Sequence, residues 1–306
     1  MIDVIKAAIL GVIEGLTEFL PISSTGHMIL AEPLLRIDKD APPWQAFLYF
    51  IQIGAILAVI VYFWRRLWRE LFRWPAARPR TTAEAGAGGG PPLLRKPRGV
   101  KGFFDRLSSR PIANHLATKL LVAFLPAAIV GLALHKTLEK HLEKPVPIAV
   151  ALIVGAVAME WIERGHRKGA TVSVEDVSLG QALAIGVAQC ISIIPGTSRA
   201  MATIMGGMLV GLQPATAAVF SFYLAIPTLI AAGGFSLFKH RHELHRNEAT
   251  LLGVGFATAF VVALLVVEGF MRYVQTRRLR PFAIYRVLLG SVVLAWWFAA
   301  GRHVAG

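Results

Sequence analysis

The sequence predicts an all-α integral membrane protein with about six transmembrane helices plus two re-entrant helical hairpins in an inverted repeat. Three observations carry this expectation: a large apolar excess, six long runs almost free of charge, and two further apolar stretches broken by polar residues and proline. Of 306 residues, 55% are hydrophobic, 28 are Gly and only 16% are charged. Soluble domains hold roughly 45–50% apolar residues with glycine included, and about 25% charged ones. The surplus has to face lipid. The single cysteine, Cys190, excludes an intrachain disulfide.

An α-helix rises 1.5 Å per residue, so crossing the hydrocarbon takes about 20 apolar residues. The runs 44–63, 117–135, 146–162, 215–238, 250–273 and 282–300 meet that requirement. Trp64, Trp68, Tyr273, Trp296 and Trp297 fall at run ends, where an interfacial aromatic belt sits. The stretches 4–30 and 179–211 behave differently. Glu14, Thr17, Glu18, Pro21, Ser23, Ser24 and His27 interrupt the first; Gln189, Ser192, Pro195, Gly196, Ser198 and Arg199 interrupt the second. Each reads as two half-length helices around a polar turn. Irregular backbone at membrane depth survives only where protein or a wet cavity satisfies it. Each hairpin is therefore expected to enter and leave by one face.

The net charge of +14 would suit a nucleic acid, but the basic residues lie in short connections between apolar runs, so no nucleic-acid partner is expected. With the first hairpin dipping from outside, the connections 65–119, 164–168 and 272–286 face inside and hold 21 Lys and Arg; the outer connections and termini hold ten. That bias predicts both termini outside. Asp3, Lys6, Glu14 and Glu18 near the N-terminus predict a retained segment rather than a cleaved signal. The chain reads as one membrane domain, 1–306. Its first repeat spans about 1–135, with a mobile, basic, Gly/Pro-rich cytoplasmic loop at 76–110, and its second about 179–300.

The hairpins resemble each other. Gly11-Val-Ile-Glu14 aligns with Gly186-Val-Ala-Gln189. After a one-residue slip, Pro21-Ile-Ser-Ser24 aligns with Pro195-Gly-Thr-Ser198. Three spans separate them, so the second hairpin is expected to enter from the opposite face, and broken helices arranged in that way meet near the midplane.

Ionisable groups at that depth are costly and face a cavity or bundle interior. Glu14 and Glu18 are four apart on a half-helix, so their carboxylates share one face. Ser23, Ser24, Thr25, Gly26 and His27 follow the first turn; Thr197, Ser198, Arg199 and Thr203 belong to the second. Arg is a planar donor suited to phosphate oxygens, and hydroxyls with helix N-terminal N–H groups make an anion cradle. Two carboxylates beside such a cradle repel phosphate unless a proton or a divalent cation intervenes. Glu14 and Glu18 are thus candidate ligands for Mg²⁺ or Ca²⁺, held with the substrate's own oxygens. His27, three residues from Ser24, is a candidate acid or base. Gln52 and Gln189 are candidate supporting groups. The set reads as phosphoryl transfer at membrane depth, on a substrate with a lipid tail.

These same residues carry a resemblance. Glu14-Gly-Leu-Thr-Glu18-Phe-Leu-Pro21-Ile-Ser-Ser-Thr-Gly-His27 and Pro195-Gly-Thr-Ser-Arg199 resemble the two signatures of the bacterial undecaprenyl-diphosphatase (bacitracin-resistance) family. The resemblance implies an enzyme of the bacterial inner membrane whose active site opens to the periplasmic face. Such an enzyme removes one phosphate from undecaprenyl diphosphate and so recycles the lipid carrier for peptidoglycan synthesis. It also implies Glu14 and Glu18 as an acidic pair, Ser24 as nucleophile, His27 as catalytic histidine, and Ser198, Arg199 and Thr203 as phosphate-binding residues. Direct attack by a Glu-activated water is the alternative to Ser24. The family's second signature continues Ser-Gly where this chain has Ala200-Met201.

A polyprenyl-phosphate translocator built on the same inverted repeat is the rival reading. A nucleophile and a histidine in the first turn favour the enzyme, since a carrier needs neither. Membrane lipid is an expected partner, and a homodimer stands as the alternative to a monomer. His240, His242 and His245 lack the spacing of a zinc-protease helix, and Gly86–Gly90 lacks the Lys-Ser/Thr of a nucleotide loop.

Overall fold

The computed structural model describes residues 2–37, 42–72, 115–142, 144–166, 171–239 and 249–300; the expected loop at 76–110 and the histidines at 240, 242 and 245 lie outside them. The described residues are helical apart from turns and one isolated bridge, Thr171 to Leu212. In chain order the described helices are α1 (Ile2–Thr17), α2 (Ser24–Leu34), α3 (Pro42–Tyr62), α4 (Trp64–Phe72), α5 (Leu116–Leu142) and α6 (Pro145–Gly165). They continue with α7 (Leu179–Gln189), α8 (Arg199–Leu209), α9 (Pro214–Lys239), α10 (Ala249–Val274) and α11 (Arg280–Ala300).

Five of these, α5, α6, α9, α10 and α11, are long and apolar enough to cross a membrane, and α3 makes a sixth when taken with α4 across a 75° bend. All six coincide with the apolar runs of the sequence. The faces they turn outward are greasy: Leu121, Leu125, Ile129 and Leu132 on α5, and Val150, Val154, Val157 and Trp161 on α6. Residues spaced three and four apart form one stripe on each helix, and exposed apolar stripes of this extent belong in lipid rather than water.

The two polar stretches break as their residues dictate. In the first, α1 ends at Thr17 and α2 begins at Ser24; in the second, α7 ends at Gln189, a short 3₁₀ turn covers Cys190–Ile193, and α8 begins at Arg199. An eleven-residue helix such as α2, α7 or α8 reaches only about 16 Å, half a bilayer core. Ser178 and Gln181 form a reciprocal capping box that starts α7.

Packing is reciprocal between the two halves. α1 lies along α10, whereas α7 lies along α5; α3 packs on α10 and α9, and α6 on α11. Helices in lipid gain little from the hydrophobic effect and associate where small residues let backbones approach. A Cβ at Gly11 would stand 2.6 Å from the Gly255 carbonyl oxygen of α10, and one at Gly186 would collide with the Ala123 carbonyl of α5.

One expectation needs correction. Arg286 does not belong to the inward-facing 272–286 connection: it lies inside α11 and is fully buried. A second polar cluster forms where α4 meets the segment before α7. Arg66 Nε donates to Glu70 Oε1 at 2.6 Å and its Nη2 stands 3.7 Å from Glu175 Oε1, while Lys119 Nζ donates to the Glu175 carbonyl at 2.7 Å. Burial, then the hydrogen bond with Glu175, pushes the Glu70 carboxyl up to about 7. Burial works upward on Glu175 as well, but hydrogen bonds from Glu70 and Ser173 and the charge of Arg66 outweigh it and hold that group at about 2.

Candidate active site

The two turns are built alike. Ser23 caps α2 with φ 73° and ψ 104°, and its hydroxyl accepts from the Gly26 N–H; Ser198 caps α8 with φ 74° and ψ 121°, and its hydroxyl accepts from the Met201 N–H. Such positive φ values favour glycine and cost a serine about 1–3 kcal/mol, which the surroundings must offset. The matched caps also correct the register. Ser23 stands nine residues after Glu14, and Ser198 nine after Gln189, so the helices align with no slip and only the prolines are out of step. Position 24 of the first turn therefore corresponds to position 199 of the second: a serine faces an arginine.

That pair meets through Glu18. Ser24 Oγ donates to Glu18 Oε2 at 2.7 Å, and Arg199 Nη2 donates to Glu18 Oε1 at 3.2 Å. Glu18 and Arg199 are both largely buried, with side chains 8% and 9% exposed, so their attraction acts in a low dielectric. Arg199 is held from three further sides. Its Nη1 donates to the Ser221 carbonyl at 3.3 Å, its guanidinium carbon sits 5.8 Å from the centre of the Phe19 ring, and its backbone carbonyl accepts from Thr203 Oγ1 at 2.8 Å. Thr203 and Ser221 share a hydroxyl–hydroxyl bond of 2.6 Å beneath it. Arg199 Nε is buried without a hydrogen-bond partner among the described residues.

A cavity of about 410 Å³ opens over this junction, lined by Glu18, Ser23, Ser24, Thr25, Gln52, Gln189, Ser192, Gly196, Ser198 and Arg199 at its polar end. Phe124, Ala127, Ala128, Gly131 and Leu132 of α5 and Leu229, Ala231 and Ala232 of α9 continue it as an apolar trough. Gln52 and Gln189, expected as supporting groups, lie in the cavity wall itself. Gln189 Nε2 donates to Thr228 Oγ1 at 3.3 Å, and its Oε1 has no partner among the described residues.

Other candidates sit behind the cavity wall. Glu14 is 2% exposed and does not line the cavity; its Oε1 has no hydrogen-bond partner among the described residues. Gly26 is buried against Leu152 and Leu289. Thr197 contributes its carbonyl to Arg286 at 2.9 Å. His27 does not engage Ser24. Its Nδ1 donates to the Ser23 carbonyl at 2.7 Å, which leaves Nε2 to accept from the Tyr285 hydroxyl at 2.7 Å, and the two rings stack 5.5 Å apart. Ala200 and Met201 are buried, away from the cavity, so the departure from Ser-Gly changes packing rather than the wall.

An all-helical membrane protein with a buried carboxylate, hydroxyl and guanidinium at the head of an apolar trough is the class of molecule that works on a lipid-borne anion. The chain belongs to the family described as bacitracin resistance protein BacA, which it matches over residues 7–292. It is 43% identical to the undecaprenyl-diphosphatase of Polaromonas naphthalenivorans (strain CJ2), an alignment covering 95% of this chain and 94% of that one. It is 43% identical to the undecaprenyl-diphosphatase of Dechloromonas aromatica (strain RCB), over 96% and 94%. To undecaprenyl-diphosphatase 2 of Rhodospirillum rubrum it is 42% identical, over 96% and 95%.

Proposed function

We infer that this chain hydrolyses undecaprenyl diphosphate to undecaprenyl phosphate and inorganic phosphate, which recycles the lipid carrier for peptidoglycan synthesis and gives bacitracin resistance. The family and the relatives' hydrolase names support this, and nothing in them favours a translocator. The observation that carries the chemistry is the continuous Ser24–Glu18–Arg199 bridge between the two turns.

Ser24 attacks the terminal phosphorus and passes its proton to Glu18 Oε2, to which it already donates. A phosphorus–oxygen bond forms at Ser24 Oγ, the bridging bond breaks, and undecaprenyl phosphate leaves; water then releases phosphate from Ser24 and restores the hydroxyl. Arg199, whose guanidinium lines the cavity, binds the transferring phosphoryl oxygens, while Ser23, Thr25, Ser198 and the N–H groups opening α2 and α8 support them. His27 acts by holding the Ser23 carbonyl and Tyr285 in place. The apolar trough between α5 and α9 takes the first part of the prenyl chain.

The donor set fits a divalent cation in one respect: Glu14 offers a buried oxygen without a partner, while both Glu18 oxygens are engaged. Glu14, and Glu18 when Ser24 or Arg199 releases it, would hold Mg²⁺ or Ca²⁺ at the cavity wall, where Glu18 is the carboxylate that faces the substrate. Such an ion would supply charge neutralisation on the diphosphate.

In this reading the broken helices are two re-entrant hairpins of an inverted repeat entering from opposite faces, supported by the matched caps and the reciprocal packing of α1 on α10 and α7 on α5. The trough runs toward the ends of α5 and α9 assigned outside by the charge bias. The site therefore opens to the periplasm, with both termini on that side of the inner membrane. Phosphate release from a long-chain prenyl diphosphate in detergent, with and without chelator, tests the function for the parent and for Glu18→Gln. Release by the parent and a marked but still measurable fall in the variant are expected; equal release by both contradicts the assignment.

A further inference from the structure

Arg286 is the largest fully buried side chain among the described residues, 0% exposed on α11. Every N–H of its guanidinium finds a carbonyl. Nε donates to Leu152 at 3.2 Å and one Nη2 hydrogen to Ala151 at 3.1 Å, both on α6. The second Nη2 hydrogen goes to Gly196 at 3.2 Å; Nη1 reaches Thr197 at 2.9 Å and Pro21 at 3.4 Å. Pro21 lies two residues before the cap of α2, and Gly196 and Thr197 immediately precede the cap of α8. A single side chain therefore grips both polar turns and anchors them to α6.

Two features show that room is made for it. A Cβ at Gly155 would collide with Arg286 Nη2, so glycine there opens the seat; the same Cβ would stand 3.0 Å from Met201 Cε on the first turn of α8. None of the five acceptors is a carboxylate. An arginine buried for stability alone would be expected to neutralise its charge against an acid, because an uncompensated buried charge is costly. Here planar, five-donor geometry is matched to backbone carbonyls that converge from three elements. Lysine, with three donors on a point charge, cannot reproduce that fork.

We propose that Arg286 is a positioning residue for phosphate release, clamping the two turns in the register that brings Ser24 and Glu18 against Arg199. The inference rests on the phosphatase reading of that junction. It acts through backbone: Arg286 does not line the cavity and touches neither Ser24 nor Glu18 directly. Releasing the clamp lets the turns separate by a fraction of an ångström, and misplacements on the scale of 1 Å can cost about 100-fold in rate.

The experiment measures kcat and KM for prenyl-diphosphate hydrolysis by the detergent-purified full chain, as the parent, Arg286→Lys and Gly155→Ala. Gly155→Ala keeps every functional side chain and disturbs only the seat, so it serves if Arg286→Lys does not fold. Each is repeated in a Glu18→Gln background. The expected result is a fall in kcat of about 10- to 100-fold with KM within about threefold, and little further loss once Glu18 is already Gln. A kcat equal to the parent's in whichever variant folds overturns the proposal. So does the same fractional loss with and without Glu18, since that places Arg286 outside the Glu18–Arg199 alignment. A loss that merely tracks the amount of folded protein also overturns it. If the parent releases no phosphate the functional reading fails; if the parent is active and the variants match it, only the clamp fails.

Discussion

The two broken helices share a frame and divide the chemistry. Each has a glycine pressed on a carbonyl of the opposite half, a polar residue three positions later, and a serine cap at positive φ nine residues beyond that. On that common frame the first carries Glu14, Glu18 and Ser24, and the second carries Gln189, Ile193 and Arg199 at the matching positions. Carboxylates and a hydroxyl lie on one turn and a guanidinium on the other, and Glu18 joins them. Similar backbone at the two turns thus carries complementary side chains.

The comparison breaks most visibly at Ser24. Ser24→Ala is expected to lower phosphate release more than about a thousandfold, as loss of a nucleophile does, with little change in thermal midpoint. Steady-state release by the purified variant checks this, and full activity would transfer the attack to a water. The caps sharpen the comparison instead. Because Ser23 and Ser198 adopt the same dihedrals, Ser23→Ala and Ser198→Ala should each cost about 1 kcal/mol, some 2–4 °C in midpoint. The corresponding glycine variants should melt at or above the parent, since glycine tolerates positive φ without strain. Thermal unfolding in detergent measures both pairs. A difference between the turns of more than about 2 kcal/mol would mean that their frames are not equivalent.

The smallest effect lies outside both turns. Glu70, pushed up to about 7, is protonated more readily when folded than its ordinary value of 4.5 allows. It therefore contributes stability below pH 4.5 that fades as pH rises through 7. Glu175, held at about 2, is ionised throughout that interval. Glu70→Gln should flatten the pH dependence of the thermal midpoint between pH 5 and 8, and an unchanged slope would argue against the assignment.

Much of this was legible in residue order. The six apolar runs coincide with α3, α5, α6, α9, α10 and α11, and the polar interruptions at 14–27 and 189–199 mark where helices break, because lipid admits no unsatisfied backbone. Three features were not. The slip between the repeats came from aligning prolines, whereas the frame is kept by cap dihedrals that no residue type announces. His27 and Ser24 share a helical face by spacing, yet His27 turns to Tyr285, 258 residues away. Arg286 looked like the last of a basic connection. Its distance of six residues into α11, about 9 Å from Arg280 along the axis, was the available signal; the carbonyls that receive it come from α6 and from both turns.

A double-mutant cycle on Glu18 and Arg199 tests the joined site most directly. Phosphate release is measured for Glu18→Gln, Arg199→Lys and the pair. Strong non-additivity is expected, with the double variant about as slow as the worse single one, because the two residues act through one contact. Losses that simply multiply would mean that the turns work independently, and the shared site would have to be abandoned.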